Sequence, residues 1–140
     1  MDLVKRSNTT GYLFKFAGGA VVWNSQLQHS CAASTQEAEY MAASEAAKQA
    51  DWLKRLLHEL GITAGPVRLF IDNQAAELLC ENPMLSQRSK HIDIRYHLAR
   101  HFCLTGVIDL KFMATDLNLS DFLTKPVPKD KFLRCTADAA

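Results

Sequence analysis

Three carboxylates, Glu39, Asp72 and Asp121, fall where elements of regular structure begin or end, and chemistry tends to be done from such positions. Asp72 closes the apolar run Val-Arg-Leu-Phe-Ile, Glu39 lies in the first turns of a long helical pattern, and Asp121 opens a short one. In open α/β sheets ligands gather at the carboxyl ends of strands. Glu39 shares a helix side with Ala42, Ala43 and Ala46, so no bulky neighbour stands between its carboxylate and a sheet beneath. A cluster of this kind suits hard divalent cations such as Mg²⁺, which take carboxylate and water oxygens. Paired ions hydrolyse a phosphodiester when one generates hydroxide and the other stabilises the leaving oxygen. Acids at helix starts also serve as caps and dipole partners, and spacing alone leaves both readings open.

The stretch from Arg88 to His101 concentrates basic residues, among them Arg88, Lys90, His91 and Arg95. These four are candidates for contacts to a nucleic-acid backbone, with a solvated helix face as the competing reading. His97 and His101 stand one helical turn apart, yet no third ligand at zinc-site spacing accompanies them. Tyr12, Phe14, Phe16 and Trp23 are expected to pack in the core rather than to stack on bases. Cys31, Cys80, Cys103 and Cys135 form no paired spacing, which argues against a disulfide framework and for ordinary thiols in a reducing compartment.

The elements that must position these groups are legible in the hydrophobic pattern. Gly11 to Phe16 and Ala20 to Trp23 read as two strands joined by a glycine turn, with Gln28 to Ala33 as a possible third. Ser34 and Glu37 form a capping box, and apolar residues from Ala38 to Leu60 recur at helical spacing until Gly61. Val67 to Ile71 reads as a strand, Asn73 as the cap of a short helix, and Ile92 to Phe102 as a further helix stopped by Gly106. Val107 to Met113 alternates as a half-buried strand, with Ile108, Leu110 and Phe112 on one face. A short helix is expected over Leu119 to Thr124, and the tail 129–140 is expected to be loosely ordered. The order predicts an α/β layer arrangement around a mixed sheet.

At 140 residues the chain is long enough for one core and too short for two domains, and a formal charge of +1 makes any basic surface local. The N-terminus has no apolar core of signal-peptide length, and no run approaches the roughly 20 apolar residues of a membrane span. A soluble, intracellular domain, cytoplasmic or nuclear, is the expectation.

Four stretches occur in an order that carries a resemblance. They are Ser-Thr-Gln-Glu-Ala-Glu-Tyr-Met-Ala (34–42), Ile-Asp-Asn-Gln-Ala-Ala (71–76), Lys-His-Ile-Asp-Ile-Arg-Tyr-His (90–97) and Ser-Asp-Phe-Leu-Thr-Lys-Pro (120–126). With Thr-Thr-Gly-Tyr and Gly-Gly-Ala-Val-Val-Trp ahead of them, the chain resembles the ribonuclease H domain of copia-type retrotransposon polyproteins, from about Arg6 to Pro128. The resemblance implies a ribonuclease H-like mixed sheet flanked by helices over 1–128. It implies Glu39, Asp72 and Asp121 as catalytic, metal-holding acids for two Mg²⁺ or Mn²⁺ ions. The substrate it implies is an RNA–DNA hybrid whose RNA strand is hydrolysed, with a reverse transcriptase domain upstream in the parent polyprotein.

The family's first aspartate lies on a central strand ahead of Thr-Thr-Gly-Tyr, and here Asp2 to Ser7 matches only the end of the loop that follows that strand. The expectation is therefore a domain lacking that strand, with weakened metal binding and no activity as an isolated chain. The alternatives are a catalytically dead retroelement relic that binds nucleic acid or protein, and a fragment without function.

Overall fold

The computed structural model describes residues 9–28, 35–71 and 90–139. Strands β1 (Thr9–Phe16) and β2 (Gly19–Leu27) form an antiparallel hairpin, turned through Ala17 and Gly18, both at positive φ. Helix α1 (Thr35–Glu59) follows, then strand β3 (Val67–Ile71), helix α2 (Lys90–Leu104), strand β4 (Ile108–Phe112), two short 3-10 turns (Thr115–Leu117 and Asp121–Leu123), and helix α3 (Lys129–Ala139). Strands β3 and β4 pair in parallel, Leu69 opposite Leu110. The α/β arrangement expected from the sequence is what the chain adopts. Among the described residues the strands form two two-stranded sheets, β1-β2 and β3-β4.

Helix α1 joins these sheets. Its positions Ala46, Ala47, Ala50, Leu53 and Leu57 recur at helical spacing and pack with Phe14 of β1, Leu69 of β3, Ile108 and Leu110 of β4, and Ala99 of α2. Alanines along this stripe let the strands and α2 approach the helix closely, while ion pairs Lys48 to Glu45 (3.0 Å) and Arg55 to Asp51 (2.9 Å) dress its solvent side. Helices α1 and α2 both stop at the expected glycines. Gly61 and Gly106 adopt φ of 77° and 74°, and the residue after each returns a hydrogen bond into the last turn, Ile62 N to Leu57 O (2.8 Å) and Val107 N to Phe102 O (2.9 Å).

Several expectations are corrected. The stretch 129–140, read as a loose tail, forms α3 over Lys129–Ala139, with Cys135 only 1% exposed. Pro126 and Pro128 end the preceding structure, but Pro128 also starts the new helix, and its carbonyl accepts the Phe132 N–H (2.9 Å). Trp23, expected in the core, is 63% exposed, on the face of β2 where Val21 and Leu27 are exposed as well. Phe16 and Phe112, at the ends of their strands, are exposed as well. The expected helix over Leu119 to Thr124 is shorter, a 3-10 turn at Asp121–Leu123. The possible third strand beyond Gln28, the Ser34 cap, the helix after Asn73, Cys31 and Cys80 fall at positions 29–34 and 72–89, outside the described residues. Among the described residues no helix is long and apolar enough to cross a membrane.

Candidate functional site

A cavity of about 820 Å³ lies between the two sheets, bounded by β1, β3, one side of α1 from Ala38 to Leu57 and the segment Asn118 to Lys125. Glu39 and Asp121 both line it, although 82 positions separate them in sequence. Glu39 is half-buried on α1, beside Ala42 and Ala43, as the expected helix side requires. Ile71, the last residue of β3, lines the same cavity, and Asp72 is the next residue in the chain, outside the described residues. Arg88 lies outside them too. Lys90, His91 and Arg95 all belong to α2.

Asp121 is 3% exposed and opens its 3-10 turn after Ser120. Its position is fixed on three sides. Ahead of it, Ser120 N–H and Oγ–H donate to Asn118 Oδ1 (3.0 and 2.8 Å), and after it Thr124 Oγ–H donates back to the Asp121 carbonyl (2.9 Å). Below it, β1 comes so close that a Cβ on Gly11 would stand 2.7 Å from Thr124 Cγ2. Ser25 of β2 completes the anchor, its Oγ–H donating to Leu123 O.

Two lysines take the carboxylate. Lys125 Nζ lies 3.0 Å from Oδ1, one helical turn on, and Lys131 Nζ of α3 bonds Oδ2. Burial alone would raise the Asp121 pKa, but these two ammonium groups outweigh it and hold the carboxyl below its usual range. Lys131 is a functional neighbour that the sequence reading missed, because the segment carrying it was read as a loose tail. The available signal was Phe132 and Cys135 at one-turn spacing directly after Pro128. In the structure Phe132 meets Phe122 edge-on at 5.8 Å, which seats α3 against the Asp121 turn.

Carboxylate oxygens are the ligand type that Mg²⁺ takes, and Glu39 and Asp121 present such groups to one cavity. Among the described residues no group of three or more His, Cys, Asp or Glu side chains is close enough to hold a metal ion. A cation at Asp121 would have to replace the lysines that neutralise it. His97 and His101 lie on the exposed side of α2, with no zinc-like cluster among the described residues.

Over 134 residues, 96% of its length, the chain is 45% identical to the retrovirus-related Pol polyprotein from transposon TNT 1-94 of Nicotiana tabacum. Its homologues are transposon Pol polyproteins. Those from transposons RE1 and RE2 of Arabidopsis thaliana are 35% and 33% identical to the Pol-related chain, each over 89% of it. The chain spans about a tenth of the length of these curated relatives, 10%, 9% and 9% in turn. No protein-family model matches it. No solved structure matches it either.

Proposed function

We propose that the chain is the ribonuclease H-like part of a copia-type retroelement Pol polyprotein, with a divalent-cation site formed by Glu39, Asp72 and Asp121. The observation that carries this reading is that Glu39 and Asp121, from distant parts of the chain, line the same cavity as the carboxyl end of β3, where Asp72 follows. The three acids would supply oxygen ligands to Mg²⁺ or Mn²⁺. Two such ions, when bound, supply the hydroxide and the leaving-group stabilisation that phosphodiester hydrolysis needs. The substrate is the RNA strand of an RNA–DNA hybrid, and Arg88, Lys90, His91 and Arg95 contact its backbone. The natural partner is the reverse transcriptase part of the same polyprotein, in the cytoplasm or nucleus.

On its own the chain is proposed to bind cations weakly and not to cut. Two features support this. Asp121 is already neutralised by Lys125 and Lys131, and among the described residues β1 and β3 belong to separate sheets. The double lysine pairing also favours a second reading, an inert retroelement relic retained as a nucleic-acid or protein binding module.

The test is Mn²⁺ titration followed by electron paramagnetic resonance, beside a cleavage assay on end-labelled RNA–DNA hybrid. Weak Mn²⁺ binding that is lost in Glu39→Gln and in Asp72→Asn, with no cleavage, is the expected result. Binding that neither substitution changes would overturn the metal site. Cleavage that disappears in Asp72→Asn would overturn the claim of inactivity.

A further inference from the structure

Both oxygens of the Asp121 carboxylate carry an ammonium group, Lys125 on Oδ1 and Lys131 on Oδ2, and these are the atoms that a divalent cation would take. The two lysines are held differently. Lys125 is one turn on from Asp121 and more than half exposed, so it turns into solvent without disturbing the fold. Lys131 is mostly buried and belongs to α3. That helix is seated by Phe132 edge-on to Phe122, by Arg134 Nη2 donating to Asp116 O (3.1 Å), and by the buried Cys135 against Asn118 O. All three contacts reach positions 116–122, the short stretch that also carries Asp121. Helix α3 is thus built onto the segment of the candidate acid itself, with a lysine of its first turns inserted at the carboxylate.

We propose that α3 is a reversible plug of the cation site: with α3 seated, the Lys131 ammonium occupies the place of a divalent cation at Asp121, and a cation takes that carboxylate only by displacing Lys131 and loosening α3. The inference rests on the reading of Asp121 as a cation ligand and adds a regulator to it. An ammonium and a dication on one buried carboxylate repel each other where little water screens them, so occupancy by one disfavours the other. The lysine neutralises the carboxylate and donates to it, which keeps the buried acid stable without a metal. When that charge-assisted hydrogen bond is lost, α3 keeps only its aromatic, backbone and Cys135 contacts, and it opens more often. The exclusion is reciprocal. Whatever factor seated α3 costs in cation affinity, the bound cation costs in the seating of α3.

The test pairs Mn²⁺ titration, followed by electron paramagnetic resonance, with amide exchange across 129–139. Lys131→Met is expected to bind Mn²⁺ about tenfold more tightly than wild type. Lys131→Arg, which keeps a cation on Asp121, should bind as weakly as wild type. Adding Asp121→Asn to Lys131→Met should abolish the gain and leaves no ammonium facing a vacant partner. In the unaltered chain, saturating Mn²⁺ should speed amide exchange in α3 by about the same factor while α2 is unaffected, a readout that does not depend on any variant folding. Unchanged affinity in Lys131→Met, or α3 exchange that Mn²⁺ leaves unchanged or slows, would overturn the plug while the cation site stands. Tight binding that survives the added Asp121→Asn would remove Asp121 from the site and the plug with it. Absence of Mn²⁺ binding in both wild type and Lys131→Met would overturn both.

Discussion

At the scale of single residues, Asp121 is the group on which structure and chemistry compete. Its carboxylate was read from the sequence as a cation ligand, and in the structure it anchors α3 through Lys131. Asp121 is almost fully buried and the Lys131 side chain is 14% exposed, so removing this lysine would leave the buried carboxylate only its exposed partner Lys125. Lys131→Met is expected to destabilise the chain by about 1–3 kcal/mol. Lys125→Met should cost less than about 1 kcal/mol, since the Lys125 side chain is 54% exposed and solvent screens it. The pH dependence follows from the lowered Asp121 pKa. A carboxyl with a depressed folded-state pKa stabilises above its unfolded value, and that contribution is lost as pH falls through the folded one. The gap between wild type and Lys131→Met in denaturant titrations should therefore be full at neutral pH and shrink below about pH 4. An equal gap at all pH values would mean that Lys131 acts through packing alone. Gly11 presents the other residue-scale test. Gly11→Ala would press a methyl group into Thr124 and Leu123, and a loss of about 1–3 kcal/mol in thermal unfolding is expected.

At the scale of elements, agreement with the sequence follows the strength of the local signal. Helix α1 was legible because its apolar stripe runs from Ala38 to Leu57 and a glycine stops it, and β3 because five apolar-rich residues precede a polar break. Strand β4 was legible in its buried half only. Ile108 and Leu110 sit in the core, while Phe112, on the same face, is exposed where the strand leaves the cover of α1. Trp23 shows the same limit, since alternation says which residues share a face but not whether another element covers that face. Helix α3 was missed because two prolines and a polar start resemble a terminus. What holds it is tertiary: Lys131 on Asp121, Phe132 on Phe122, the buried Cys135, and the Lys15 ammonium on Asp138 O. The need for glycine at position 11 was equally hidden. It comes from the Asp121 turn crossing β1, a contact between segments more than 100 positions apart.

At the scale of the whole molecule, two half-sheets share one helix and leave a cleft between them. The resemblance of four ordered motifs to the ribonuclease H domain of copia-type polyproteins implies a central strand between the hairpin and β3, and the cleft lies between those two elements. Of the candidate acids, Glu39 and Asp121 line that cleft, and Asp72, the residue after β3, lies outside the described residues. The central claim is that a strand bearing an aspartate would complete both the sheet and the carboxylate cluster. The most direct measurement is RNA–DNA hybrid cleavage with Mg²⁺ by the chain extended at its N-terminus with such a strand and its loop, against the same extension carrying alanine for the aspartate. Both extended chains should melt more cooperatively than the original, because either strand pairs with β1 and β3, and only the aspartate version should cut. An extension that stabilises both versions while neither cuts would contradict the claim that Glu39, Asp72 and Asp121 form a working site, and one that stabilises neither would contradict the assignment of the cleft to a strand.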